Sequence, residues 1–181
     1  AEVDAVFIIN CNFGNEEAAA DIAKALGIEN ETKVNVGTLD HFAGMIGTGN
    51  ICEGKITLST GTVMAMATFS KKDASDIKGI AMHYGFIPDT HIMLPVAESG
   101  GVSLEWFKSS CMKDVSFKEI DAVVGERKRN KILFLPYLVG TNSPEFDSRA
   151  SGVFWGLRDE HDAFDMAYAV MEGVGFLLKK N

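Results

Sequence analysis

The stretch ILFLPYLVGTNSPEFDSRASGVFWGL, residues 132–157, opens on an apolar run. Ile132 to Leu135 predicts a buried strand that stops at Pro136, where the ring removes a backbone donor. A long irregular loop follows to about Gly152. Beyond it, Phe164, Ala167, Val170, Met171, Val174 and Phe176 or Leu177 recur at helical spacing, which predicts an amphipathic helix from about Ala163 to Lys179. Strands and helices interleave along the chain without strict βαβ regularity, which makes the class mixed α/β.

Working outward, Ser116-Phe117-Lys118-Glu119 has the spacing of a capping box and predicts a helix over Phe117 to Val124. Gly100-Gly101 opens another helix through Leu104 and Phe107. His91 to Pro95 reads as a strand, and Lys55–Thr60 and Thr62–Thr68 read as two strands joined tightly at Gly61. Near the start, Val6 to Ile9 is strand-like, Asn15 caps a helix over Glu16 to Leu26 stopped by Gly27, and Val34 to Val36 is a short strand leading into Gly37. After Asp40, the spacing of Phe42, Met45 and Ile46 suits a short helix broken at Thr48-Gly49-Asn50.

The chain has 181 residues, 46% of them hydrophobic, which is enough for a real core. Its 17 basic and 25 acidic residues give a net charge of −8, so nothing draws it to a phosphate backbone and nucleic acid is excluded as an expected partner. The run Glu126-Arg127-Lys128-Arg129 reads as a solvated helix end. No segment has the length of a membrane span, and the Ala5–Ile9 stretch lacks the basic lead of a signal peptide. Three separated cysteines, Cys11, Cys52 and Cys111, form neither a disulfide framework nor a zinc site, so a reducing, cytoplasmic setting is the expectation. His41, His83, His91 and His161 show no ligand spacing and read as surface or core residues, so no metal-ligating set is predicted.

Three places could carry chemistry. Asp40 follows a strand and a glycine, where a carboxylate can face a cleft and take a proton from an alcohol; equally, it can cap the helix that follows. Ser59-Thr60-Gly61-Thr62 is a turn of small hydroxyl residues that can offer N–H groups and hydroxyls to phosphate, or can simply close a hairpin. Gly100-Gly101 can let a nucleotide approach a helix N-terminus or can be an ordinary helix start.

Taken in order, these segments resemble the FGGY carbohydrate kinases, above all their xylulose kinase branch. The resemblance rests on Phe134-Leu135-Pro136-Tyr137-Leu138-Val139-Gly140, then Ser143-Pro144, Asp147, Ala150, Gly152, Phe154, Gly156-Leu157, His161 and Met171-Glu172-Gly173-Val174-Gly175-Phe176. Upstream, Leu26-Gly27-Ile28 and Val34 to Gly37 resemble the family's approach to its catalytic base. The resemblance implies that Asp40 is that base, that Gly61 and Thr62 touch the ATP phosphates, and that Gly101 and Glu105 contact the nucleotide. It implies a ribonuclease H-like, actin-like ATPase fold, with residues 1–36 ending a first kinase domain or connecting to it and residues 37–181 forming a partial C-terminal kinase domain.

The activity so implied is ATP-dependent phosphorylation of a sugar hydroxyl, with Mg2+, on a ketopentose such as xylulose. Gluconate and glycerol are the alternative substrates, and a non-catalytic nucleotide- or protein-binding module is the alternative role. A chain of this extent would lack the first domain and the adenine-holding glycine-rich segment, would be inactive alone, and would expose apolar surface through which it could self-associate. It departs from the family pattern at Leu39, where a small residue is usual, at Val63, where another small residue is usual, and at Thr141-Asn142, where Glu-Arg is common.

Overall fold

In the computed structural model the elements run β1 (Val6–Ile8), β2 (Val34–Val36), α1 (Asp40–Gly47), β3 (Ile56–Thr60), β4 (Met64–Ser70), β5 (Met82–Tyr84), β6 (His91–Met93), β7 (Val96–Ala97), α2 (Gly101–Cys111), α3 (Phe117–Glu126), β8 (Leu133–Leu135), β9 (Val153–Trp155) and α4 (Ala163–Lys180). The structure describes residues 6–8, 21, 24–27, 34–36, 38–73 and 77–181. Most of the helix expected over Glu16 to Leu26, with Asn15 and Gly37, lies outside them. Asp21, Lys24 and Ala25 are described and helical, and Gly27 turns the chain at φ +70°. The chain divides into two units: Ala1–Thr57 with Ala67–Ile77 and Ala81–Leu94, and Leu58–Met66 with Lys78–Ile80 and Pro95–Asn181.

In the first unit β1 and β2 pair in parallel, with Val6 opposite Val34 and Ile8 opposite Val36. The far half of β4 pairs antiparallel with β6, Phe69 opposite Ile92, and β6 pairs antiparallel with β5, His83 opposite Ile92. Helix α1 buries Phe42 and Met45 completely, whereas Ile46, expected on the same face, is 45% exposed. A helix of two turns presents an apolar stripe wide enough for the first two only. The break after it forms as expected: Thr48 N–H and Oγ both bond the Gly44 carbonyl, and Gly49 sits at φ +72°. Asn50, buried, donates to the Ala67 carbonyl at 3.1 Å and to Thr57 Oγ1 at 3.0 Å, tying that turn to the strands.

In the second unit the near half of β4 pairs antiparallel with β7, Met64 opposite Ala97. Helices α2, α3 and α4 and the β8–β9 pair enclose a core of Phe107, Met112, Ile120, Val124, Ile132, Phe134, Ala167, Ala169 and Val170. Full burial of each large apolar side chain in it contributes roughly 1.5–3 kcal/mol. Phe154 bridges the core, its ring 4.5 Å from that of Phe134 and 5.8 Å from that of Phe107. The quoted strand is half-buried rather than buried: Phe134 points in, while Leu133 and Leu135, paired with Trp155 and Val153, face outward. Strands β5, β7 and β9 are too short to announce themselves by periodicity, and sequence reading missed them. Helix α4 runs as expected, but Met171 and Phe176 are exposed, and Leu177 takes the core position.

The basic run at 126–129 is more than a solvated helix end. Arg127 ends α3 and reaches the first turn of α4, where Nη1 bonds Asp165 Oδ1 at 2.6 Å and Nη2 bonds Asp162 Oδ2 at 2.6 Å. Asp162 and Asp165 form a reciprocal capping box on α4, so one guanidinium joins two helix ends. Arg129 pairs with Glu172 at 2.7 Å and lies over the Phe176 ring. The Arg127 hydrogen bond holds the Asp162 carboxyl below its usual range. At Asp165 burial pushes the pKa upward, but the hydrogen bonds from Arg127 and the Asp162 N–H outweigh it and the net shift is downward.

Both Asp carboxyls are depressed in the fold, so their contribution is complete above the unfolded carboxylate range and disappears as pH falls through the folded values. Arg127→Ala should therefore destabilise by about 1–2 kcal/mol at neutral pH, the pair being part-exposed, and by almost nothing near pH 2, read from urea unfolding at each pH. On α4, a Cβ at Gly173 would fall inside contact distance of the Phe134 carbonyl, whereas one at Gly175 meets open space. Gly173→Ala should lower stability by roughly 1–3 kcal/mol and Gly175→Ala should raise it by roughly 0.5–1 kcal/mol in the same assay.

Candidate functional site

Between β3 and β4 the chain turns at Gly61, whose N–H donates to the Val63 carbonyl at 3.0 Å. The carbonyls of this turn accept from the start of α2: Gly61 O from Gly101 N at 2.8 Å, and Thr62 O from Gly100 N at 3.1 Å and Val102 N at 3.3 Å. The turn and the helix start, read separately in the sequence, are one structure. Contact this close needs both glycines. A Cβ at Gly101 would stand 2.7 Å from Gly61 O, and one at Gly100 would stand 2.8 Å from Met64 Cγ.

This arrangement changes which groups are free. The first amides of α2 are engaged by carbonyls, so the helix N-terminus does not present them to an anion, and the Gly61 amide is engaged within its own turn. Thr62 is exposed, and neither its N–H nor its hydroxyl has a partner among the described residues. Ser59 and Thr60 are exposed with free hydroxyls in the same sense. Polar capacity here lies in hydroxyls and one amide.

Beside the turn is a cavity of about 450 Å3, lined by Thr60, Gly61, Met64, Gly100, Gly101, Leu104, Val170, Met171 and Val174. Backbone and a hydroxyl supply the polar lining, and β4, α2 and α4 supply the apolar lining, a combination suited to a ligand with a planar apolar part and an anionic part. Glu105 is exposed one turn along α2 from Gly101; Leu104, its neighbour, lines the cavity instead. Sequence reading assigned Val170, Met171 and Val174 to the core face of α4. The exposure of Met171 at 39% marks the place where that face leaves the core, and nothing in helical periodicity separates core from cavity wall.

Asp40 belongs to the first unit. It is the first residue of α1 rather than its cap: Leu39 is the N-cap and makes no side-chain capping bond. The Asp40 carboxylate is 91% exposed, and its Oδ1 accepts from the His41 N–H at 2.9 Å and lies 2.9 Å from His41 Nδ1. As an acid at the first helical position it is favoured by the helix dipole. Of the nominated residues, Gly61, Thr62 and Gly101 meet in the second unit, Glu105 stands on the adjoining helix, and Asp40 stands in the other unit.

Residues 54–181 match the model of the FGGY family of carbohydrate kinases, C-terminal domain. The chain is 31% identical over 163 residues to a xylulose kinase of Staphylococcus epidermidis, covering 88% of this chain and 33% of that protein. It is 29% identical over 171 residues to a gluconokinase of Bacillus subtilis, covering 88% of this chain and 33% of that protein. The crystal structure of a ligand-bound xylulose kinase from Lactobacillus acidophilus superposes with a TM-score of 0.72 at 28% identity, over 87% of this chain and 33% of that one. The chain thus spans about a third of the length of the relatives it matches. The turn at Gly61, the paired glycines and the cavity beside them all fall inside the matched region, and the chain belongs to the FGGY family of carbohydrate kinases, whose C-terminal domain, of ribonuclease H-like and actin-like fold, it carries.

Proposed function

We propose that this chain is part of an ATP-dependent kinase that phosphorylates a hydroxyl of a ketopentose such as xylulose, and that it does not do so alone. In this reading residues 37–181 belong to the C-terminal kinase domain and residues 1–36 lead into it from the first. The observation that carries the proposal is the cavity walled by Gly61, Gly100 and Gly101 and by apolar side chains, with the free hydroxyls and amide of the turn next to it.

These residues fit a nucleotide. Leu104, Val170, Met171 and Val174 cover a planar base, the missing side chain at Gly61 leaves the backbone of the turn open to a ligand, and Thr62 donates from its N–H and Oγ1 to phosphate oxygens. Glu105, exposed on α2 one turn from Gly101 and outside the cavity wall, is the further residue assigned to the nucleotide. When bound, ATP with Mg2+ supplies the transferable phosphoryl group with part of its charge neutralised. Asp40 accepts the proton of the attacking sugar hydroxyl. Closure of the two kinase domains keeps water from taking the sugar's place. Gluconate is a second substrate reading, favoured by the gluconokinase of Bacillus subtilis among the relatives.

The test is a panel of ketopentoses, polyols and gluconate offered with ATP to the full-length protein, beside the 181-residue chain alone. One sugar should be turned over by the former and none by the latter; a full-length protein that binds nucleotide but phosphorylates nothing would make it a non-catalytic module. Asp40→Asn should lower kcat by about 10²–10⁴-fold and leave nucleotide affinity unchanged. Gly101→Ala should displace the Gly61 turn and raise the KM for ATP by about tenfold, corresponding to about 1.4 kcal/mol of lost binding, in steady-state kinetics at saturating sugar.

A further inference from the structure

The proposed base is exposed, but its two oxygens are not equivalent. Asp40 Oδ1 accepts from the His41 backbone N–H at 2.9 Å and has the His41 Nδ1 at 2.9 Å, while Oδ2 has no partner among the described residues. The His41 side chain is only 28% exposed, so its ring is held more closely than the carboxylate it meets. The next residue, Phe42, is wholly buried and meets the His83 ring edge-on, centroids 5.1 Å apart at 69°, which anchors the first turn of α1 by packing.

A carboxylate at the first position of a helix can swing about two side-chain torsions, and a proton acceptor works only when a lone pair points at the proton. One donor on Oδ1 leaves a hinge. A second donor on the same oxygen, from the His41 ring, restrains it. We propose that His41 is a positioning residue for the transfer: its Nδ1–H donates to Asp40 Oδ1, fixing the carboxylate so that Oδ2 is the oxygen that takes the sugar proton. The inference rests on Asp40 being the base. It requires the ring to carry hydrogen on Nδ1, which both the Nδ1–H neutral tautomer and the imidazolium provide. As the hydroxyl oxygen bonds phosphorus and ADP departs with the bridging oxygen, the hydroxyl proton passes to Oδ2 and Oδ1 keeps both its donors.

The test compares His41→Ala, His41→Asn and Asp40→Asn in the full-length protein, with rates normalised to nucleotide-binding sites. An Asn side chain can place its amide nitrogen where Nδ1 lies and donate to the same oxygen. His41→Ala should lower kcat by about tenfold or more with the KM for sugar nearly unchanged, and His41→Asn should recover most of the loss. A wild-type kcat in His41→Ala, or an Asn variant no better than the Ala one, overturns the proposal. If Asp40→Asn is inactive while His41→Ala is unaffected, only the role of His41 fails; if Asp40→Asn stays active, the reading of Asp40 as base fails and this one with it.

Discussion

The second unit depends on a contact between two pieces of backbone. The carbonyls of Gly61 and Thr62 accept the amides of Gly101, Gly100 and Val102. A helix start leaves its first N–H groups without intrahelical partners. Here a neighbouring turn, rather than a capping side chain, satisfies three of them, and Gly100 as N-cap contributes no side-chain bond. Two absent Cβ atoms make this possible, because either one would stand closer than 3 Å to an atom of the turn or strand. The contact thus joins β4 to α2 and determines that the cavity between them opens onto backbone.

Helix α4 carries that constraint into the core. Ala167, Ala169 and Leu177 lie inside, and Val170 is both a core member and a cavity wall, with Met171 and Val174 extending the wall. One helix can do both only if its height and rotation are fixed. Gly173 sets the height by letting the Phe134 backbone lie against it, and Arg127 holds the first turn through both carboxylates of the capping box. Burial of the aromatic cluster supplies the energy, while these polar and steric contacts choose one packing among several.

How much of this was legible follows from the period of each element. Helices α2, α3 and α4 are long enough for the 3.6-residue repeat to register, and Ser116 caps α3 by accepting from the Glu119 N–H, the one half of the expected capping box that forms. Alternation cannot register in strands of two or three residues: β1, β2, β6 and β8 were expected from apolar or β-branched runs, while β5, β7 and β9, no longer, were not. The hairpin at Gly61 was foreseen, but β4 starts at Met64 rather than Thr62, since Thr62 and Val63 belong to the turn. The site divides in the same way. Asp40, Gly61, Thr62 and Gly101 were nominated through the family resemblance, since taken alone each has an ordinary reading as a helix start or a turn. The apolar wall was not, because Val170 and Val174 look alike whether they face a core or a ligand. His41 was read as an ordinary histidine, since a contact between adjacent residues leaves no spacing to recognise.

The departures from the family pattern become intelligible in the same terms. Leu39 sits at φ −60° and ψ 143°, extended backbone that any residue adopts, so no glycine is required before Asp40. Val63 contributes to its turn through the backbone carbonyl, which a side chain does not alter. At Thr141-Asn142 the loop is held without an arginine: Asn142 Nδ2 donates to Glu98 at 2.6 Å, Ser143 Oγ donates to the Gly79 carbonyl at 2.7 Å, and Thr141 N bonds the Asp147 carbonyl at 2.9 Å. An amide has two donors where a guanidinium has five, and it brings no charge. A cation reaches the same loop from α4, where Lys180 pairs with Glu145 and lies over the Tyr137 ring. Their hydrogen bond lowers the Glu145 pKa and raises that of Lys180, both in the direction of the ionised pair. The loop is therefore held by these hydrogen bonds from uncharged donors and by an ion pair to the end of α4.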